Sequence, residues 1–108
     1  MGSDSKFSPQ AVKLLKAFLD MYEQDVRAEI SGADVMRAAK LSSGTVYPLL
    51  YKYEENGLLE SRWEELSAEE LGRPRRRLYS LRGEGAAVAR KAVEELREAF
   101  SFLVPRQV

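Results

Sequence analysis

Apolar residues recur at helical spacing from the start of the chain, with Val12, Leu15, Phe18, Leu19, Tyr22 and Val26 on one face. Ser8 ahead of Pro9 supplies a helix start: a hydroxyl N-cap, then a residue whose missing N–H costs nothing in a first turn. This pattern predicts a helix over residues 9–26. An extended piece around Glu29 and Ile30 leads into Ser31-Gly32-Ala33-Asp34, where Ser31 and Asp34 are spaced as a capping box. A second helix is expected to run to Ala39 and to bury Val35, Met36 and Ala39.

The short turn Lys40-Leu41-Ser42-Ser43 offers two N-cap candidates, and the Asn56-Gly57 stop signal closes a third helix. Val46, Leu49, Leu50 and Tyr53 share one narrow arc of that helix. Gly44, Tyr47, Pro48, Tyr51 and Lys52 lie opposite or on its flanks. An interior proline costs about 3 kcal/mol, so the helix is expected to begin near Thr45 with Pro48 in its first turn. Two helices joined by so short a turn, the second with a polar outer face, make a helix-turn-helix.

Residues 58–66 and 76–81 alternate as strands, with Leu59, Ser61 and Trp63 on one face of the first. Between them SAEELGRPR is polar, contains Gly72 and Pro74, and reads as a loop. A last helix is predicted from Gly83 to about Phe102. Ala89, Val93, Leu96, Phe100 and Leu103 form a heptad-like seam along it, with Arg90–Glu94 and Lys91–Glu95 paired on the wet side. The seam either packs back on its own domain or is covered by a second copy. With no later element to cover it, a homodimer is expected. The fold class is mainly α with a small β-hairpin. Residues 8–82 would form a winged helix-turn-helix and residues 83–104 a dimerisation helix, flanked by tails at 1–7 and 105–108.

Composition narrows the chemistry. The chain has 108 residues, 44% hydrophobic and 31% charged, as in a single globular domain. Cysteine and histidine are both absent. That removes disulfides, thiolate and imidazole metal sites, cysteine nucleophiles and Ser-His-Asp triads. No apolar run reaches the roughly 20 residues of a membrane helix, and the N-terminus lacks a signal-peptide core. The expectation is a cytoplasmic protein without metal or cofactor. An enzyme would have to work with carboxylates alone, and the pairs Glu64-Glu65 and Glu69-Glu70 are accounted for by a solvated hairpin.

Net charge is zero, yet its distribution is uneven. From Glu54 to Glu70 seven acids accompany one cation, Arg62; from Leu71 to Arg82 there are five arginines and no acid. Phosphate affinity follows local clusters, since charges beyond about 10 Å are largely screened. Arg73, Arg75 and Arg76 are therefore candidate contacts to duplex DNA, with Arg77 the most structural of the group. Ser43, Gly44 and Thr45 could be a helix cap, a phosphate site, or both. Tyr51 and Lys52 face outward one turn later, and Arg37 and Lys40 are secondary candidates. Trp63 is either hairpin packing or a platform for a flat effector.

Four pieces in order resemble the PadR family of transcriptional regulators: GTVYPLL at 44–50, YEENGLLES at 53–61, WEE at 63–65 and GRPRRRLYSL at 72–81. The likeness covers nearly the whole chain, in the short form without a separate C-terminal ligand domain. It implies a homodimeric winged-helix repressor whose last helix crosses its partner, with Tyr47 presenting its hydroxyl to a DNA phosphate. Many such proteins respond to small aromatic ligands. Arg82 stands where these proteins commonly carry a threonine cap. The expected function is sequence-specific binding of an inverted-repeat operator. Rival readings are a winged helix used for protein–protein contact within an assembly, and a metal- or multidrug-sensing regulator.

Overall fold

The computed structural model describes residues 7–101. Helix α1 spans Pro9–Gln24, strand β1 Ile30–Ser31, helix α2 Gly32–Ala39 and helix α3 Ser43–Glu55. Strand β2 spans Leu59–Trp63, helix α4 Ala68–Leu71, strand β3 Arg77–Leu81 and helix α5 Gly83–Ala99. The winged helix-turn-helix read from the sequence is present, with β3 in the middle of a three-stranded antiparallel sheet ordered β1-β3-β2.

Helix α1 starts as expected, the Ser8 hydroxyl accepting from the Ala11 N–H at 3.1 Å. It stops two residues early, because Asp25 turns the chain and accepts from the Arg27 N–H. Val26 therefore leaves the core face and stands 62% exposed. The helix buries Leu14, Leu15, Phe18 and Leu19 against α2, β3 and α5. Helix α2 is capped by the Ser31 hydroxyl, which accepts from the Asp34 N–H. It ends at Lys40 in the left-handed region, φ 56°, which turns the chain into α3.

Helix α3 begins earlier than its proline suggested. Ser42 is the N-cap, and its carbonyl accepts from Thr45 and Val46. Pro48 thus lies in the second turn, inside the helix. The one bond it removes would have gone to Gly44, an exposed residue where solvent can serve the carbonyl. Val46, Leu50 and Tyr53 are buried as predicted, and Leu49 packs at the edge of the core.

On the inner face of the sheet Leu59, Tyr79 and Leu81 are buried, whereas Ser61, Arg77 and Trp63 carry that face out beyond the core. Arg62 crosses the outer face to Glu29 through two 2.6 Å bonds, tying β2 to the segment before β1. The loop expected between the strands contains α4, closed by a capping box between Ser67 and Glu70.

The predicted seam of α5 is divided. Ala89 is buried within its own chain, with Gly85, Ala86 and Ala92, where small side chains let α5 lie close to α1. Val93 and Leu96 sit at the core's margin, and Phe100 is 48% exposed. Leu103 lies outside the described residues. The expected pairs of Arg90 and Lys91 are replaced by Arg90–Glu23, which joins α5 to α1, and by Arg97–Glu94. Arg82 caps α5 without a side-chain bond.

The hairpin's open end is locked to α5 at one point. The Leu58 carbonyl accepts from the Arg82 N–H at 3.0 Å, and a Cβ built on Gly85 would stand 2.1 Å from that same oxygen. The nearest neighbour is backbone and cannot rotate away, and the Leu81 side chain stands 2.9 Å off as well. Gly85→Ala should therefore destabilise the fold by about 2 kcal/mol or more, read as a melting temperature lower by roughly 10 °C. An unchanged melting temperature would show that this approach is looser than described.

Candidate nucleic-acid interface

The candidate residues lie on three pieces: the α2–α3 turn, the outer face of α3, and the segment between α4 and β3 that forms the wing. Arg37 and Lys40 are exposed on α2 and the turn. Arg37 pairs with Asp34 on its own helix, so part of its charge is balanced. At the start of α3 the Ser42 side chain makes no cap bond to backbone and instead bonds the Thr45 hydroxyl at 3.3 Å. The first-turn amides of Ser43 and Gly44 consequently face solvent, a geometry suited to an anion.

Tyr47 lies where α3 crosses the start of α2. Its ring covers Gly32 so closely that a Cβ there would meet the ring at 2.6 Å. The residue is both a packing element and a surface group, and its ring sits 6.2 Å from that of Tyr51. Tyr51 is 60% exposed one turn later, with Lys52 and Pro48 exposed beside it.

The wing is organised by Glu64, a residue that sequence reasoning left among solvated acids. Its carboxylate receives two hydrogen bonds from the Arg73 guanidinium, at 2.7 and 2.9 Å, and one from the Arg76 N–H at 2.8 Å. Its backbone carbonyl accepts from the Arg75 guanidinium at 2.8 Å. Arg73 is thereby tied into an ion pair that balances its charge, rather than free at the tip. Arg75 donates to this neutral acceptor and stands exposed. The Arg76 charge also acts on the Glu64 carboxylate, without a direct ion pair between them. Arg77 is structural, as expected: it bonds Ser61 at 2.9 Å, approaches Glu54 at 3.6 Å and lies 5.3 Å over the Trp63 ring. Glu70 is drawn into the capping box and away from the tip.

Between α3 and the wing runs a groove of about 670 Å³ whose lining includes Tyr47, Tyr51, Trp63, Arg75 and Arg76. The structure thus gathers these predicted residues around one concavity. Ser43, Gly44, Thr45, Pro48, Lys52, Arg37 and Lys40 lie outside it. Trp63 sits at the wing end of β2, opposite Arg77.

Residues 14–91 match the family described as the transcriptional regulator PadR-like family. No match was found among curated proteins. The fold is similar to that of a PadR family transcriptional regulator from Eggerthella lenta, at 21% identity and TM-score 0.61, over 85% of this chain and 81% of that one. BpsR of Bordetella bronchiseptica is similar at 18% identity and TM-score 0.72, covering 97% of this chain and 66% of its own. PcaV of Streptomyces coelicolor is similar at 23% identity and TM-score 0.67, covering 100% and 68%. This chain spans about two thirds of the length of the latter two. At such identities the likeness is one of fold.

The Arg73 hydrogen bonds, aided by the Arg76 N–H, hold the Glu64 carboxyl down at about 2. A depressed carboxyl favours the fold above its unfolded value of about 4.3 and loses that contribution as pH falls toward the folded one. Glu64→Gln should thus flatten the decline of melting temperature between about pH 4.5 and pH 2. Parallel wild-type and variant curves across that window would mean that Glu64 is not held by Arg73.

Proposed function

Because this chain belongs to the PadR-like family of transcriptional regulators, we propose that it binds operator DNA through α3 and the wing as a homodimer and represses transcription there. One observation carries the reading. Arg75 and Arg76 stand exposed on a hairpin braced by Glu64, beside a helix whose outer face and first-turn amides are uncovered. In this reading the outer face of α3 enters a major groove, with Tyr51 and Lys52 nearest the base edges. The Tyr47 hydroxyl and the amides of Ser43 and Gly44 meet backbone phosphates, supported by Thr45 and Pro48 at the helix surface. Arg37 and Lys40 reach phosphates on the flank. Arg75 and Arg76 meet the adjacent strand, supplying affinity that depends on salt rather than sequence. Arg73 acts mainly by shaping the wing.

The second copy is assigned to the far end of α5. Val93 and Leu96 sit at the margin of the core and Phe100 stands exposed beyond them, and in the sequence Leu103 continues the spacing. Ala89, being interior, belongs to the protomer's core and not to the interface. Two α3 helices related by a two-fold axis and roughly 34 Å apart would require an inverted-repeat operator. Occupying a promoter would then exclude polymerase. The similar regulators supply a further element: DNA binding of BpsR is regulated by 6-hydroxynicotinic acid, and NadR binds 4-hydroxyphenylacetate. A small aromatic effector is proposed for this chain on the same footing, and the protein acts without cofactor or metal. Among the described residues, no helix is long and apolar enough to cross a membrane; a cytoplasmic location is proposed with the function.

Selection from a random duplex pool tests the reading most directly, and recovered sites should carry two-fold symmetry. Replacing Arg75 and Arg76 together by alanine should weaken binding to all duplexes and lower the slope of log affinity against log salt by about 2. An unaltered slope would remove the wing from the interface. Phe100→Glu should yield monomers in sedimentation velocity, and a persisting dimer would place the contact elsewhere.

A further inference from the structure

Tyr47, Tyr51 and Glu54 follow one stripe of α3, four and three residues apart, and all three line the groove that faces the wing. The two tyrosines have a part in the DNA reading given above. The acid has none there, because a carboxylate repels phosphate.

The contacts of Glu54 give it a different part. The Ser61 hydroxyl on β2 donates to its Oε2 atom. The same hydroxyl oxygen accepts from Nε of Arg77 on β3 at 2.9 Å, and Nη2 of Arg77 stands 3.6 Å from the same carboxylate oxygen. The direction of each bond is fixed, since a guanidinium only donates and an ionised carboxylate only accepts. The plane of Arg77 is then set, and its Cζ lies 5.3 Å from the ring centroid of Trp63, its cross-strand partner. One carboxylate thus ties α3 to both strands of the hairpin. Through Arg77 it also orders the indole that shares the lining of the groove with Arg75 and Arg76. The side chains of Arg77 and Glu54 are 37% and 33% exposed, so the pair adds little to stability. Its distinction is geometric: a planar fork meets Ser61, Glu54 and the indole together, which a single ammonium does not.

We propose that Glu54 is a positioning residue for DNA recognition. By holding Arg77 against Ser61 and Trp63 it fixes the wing relative to α3, and so sets how well the protein distinguishes its operator from other duplexes. This role rests on the reading of α3 and the wing as the DNA interface. A loosened wing still meets phosphates, which carry no sequence information, whereas α3 loses the register from which it reads bases. A carboxylate acting by repulsion alone would give the opposite signature, since its removal would tighten every duplex alike.

Two substitutions separate these effects. Arg77→Lys keeps every charge and removes the fork, and Glu54→Gln keeps the shape and removes the charge. For each full-length variant, affinity for a pool-selected duplex is measured beside that for a scrambled duplex of the same length and composition. In both variants the ratio of the two affinities should fall about tenfold, and the substitutions combined should lose no more than one alone, because they act on one link. Trp63 is the single tryptophan, so acrylamide quenching of its emission in the DNA-free protein reports the network, and it should rise in both variants. An unchanged ratio in either variant, both affinities shifted by one factor, or additive losses in the double variant overturn the positioning role. Unchanged quenching in both variants overturns the network itself. A protein that selects no duplex overturns the DNA reading and the recognition role with it, while the quenching still decides whether Glu54 holds Arg77 over the indole.

Discussion

One hydrogen bond, from the Arg82 N–H to the Leu58 carbonyl, joins the four segments whose relative placement makes this molecule. Leu58 links the end of α3 to β2, and Arg82 links β3 to α5. Gly85 brings the first turn of α5 against the same oxygen, closer than any side chain permits. The hairpin's angle to α3 is therefore fixed at its base by backbone alone. Leu59 and Leu81, paired just beyond the bond and both buried, make the arrangement costly to open.

The charge problem is solved by spacing rather than by excess. Acids and bases are equal in number across the chain. Glu64 takes one arginine into an ion pair while bracing the two that follow, so one cation serves the structure and two stay exposed. The exposed ion pairs elsewhere contribute little energy individually. Arg62–Glu29 and Arg90–Glu23 matter for what they connect: a strand to the segment before β1, and α5 to α1.

Much of the architecture was legible in the sequence. Periodicity located α1, α2, α3, both hairpin strands and α5, and the four motif pieces identified the family. The errors have different causes. Long-range contacts overrode local rules at Pro48, where core packing of Val46 and Leu50 holds a helix through a residue that breaks one internally. In α5 the heptad reading followed the large residues, whereas the close contact is made by Gly85, Ala86, Ala89 and Ala92, which carry little hydrophobic signal. Helix α4 was readable from Ser67 and Glu70 but was passed over within a polar run. Glu64 was not readable, because its partners lie nine to twelve residues away across a turn.

The alanine contact between α5 and α1 has a mechanical corollary. Alanine has no rotamers, so a side chain there cannot swing aside to absorb a shift of its neighbour. Displacing α1 would tilt α5 as a stiff rod, magnifying a small motion at its root into a larger excursion at its tip.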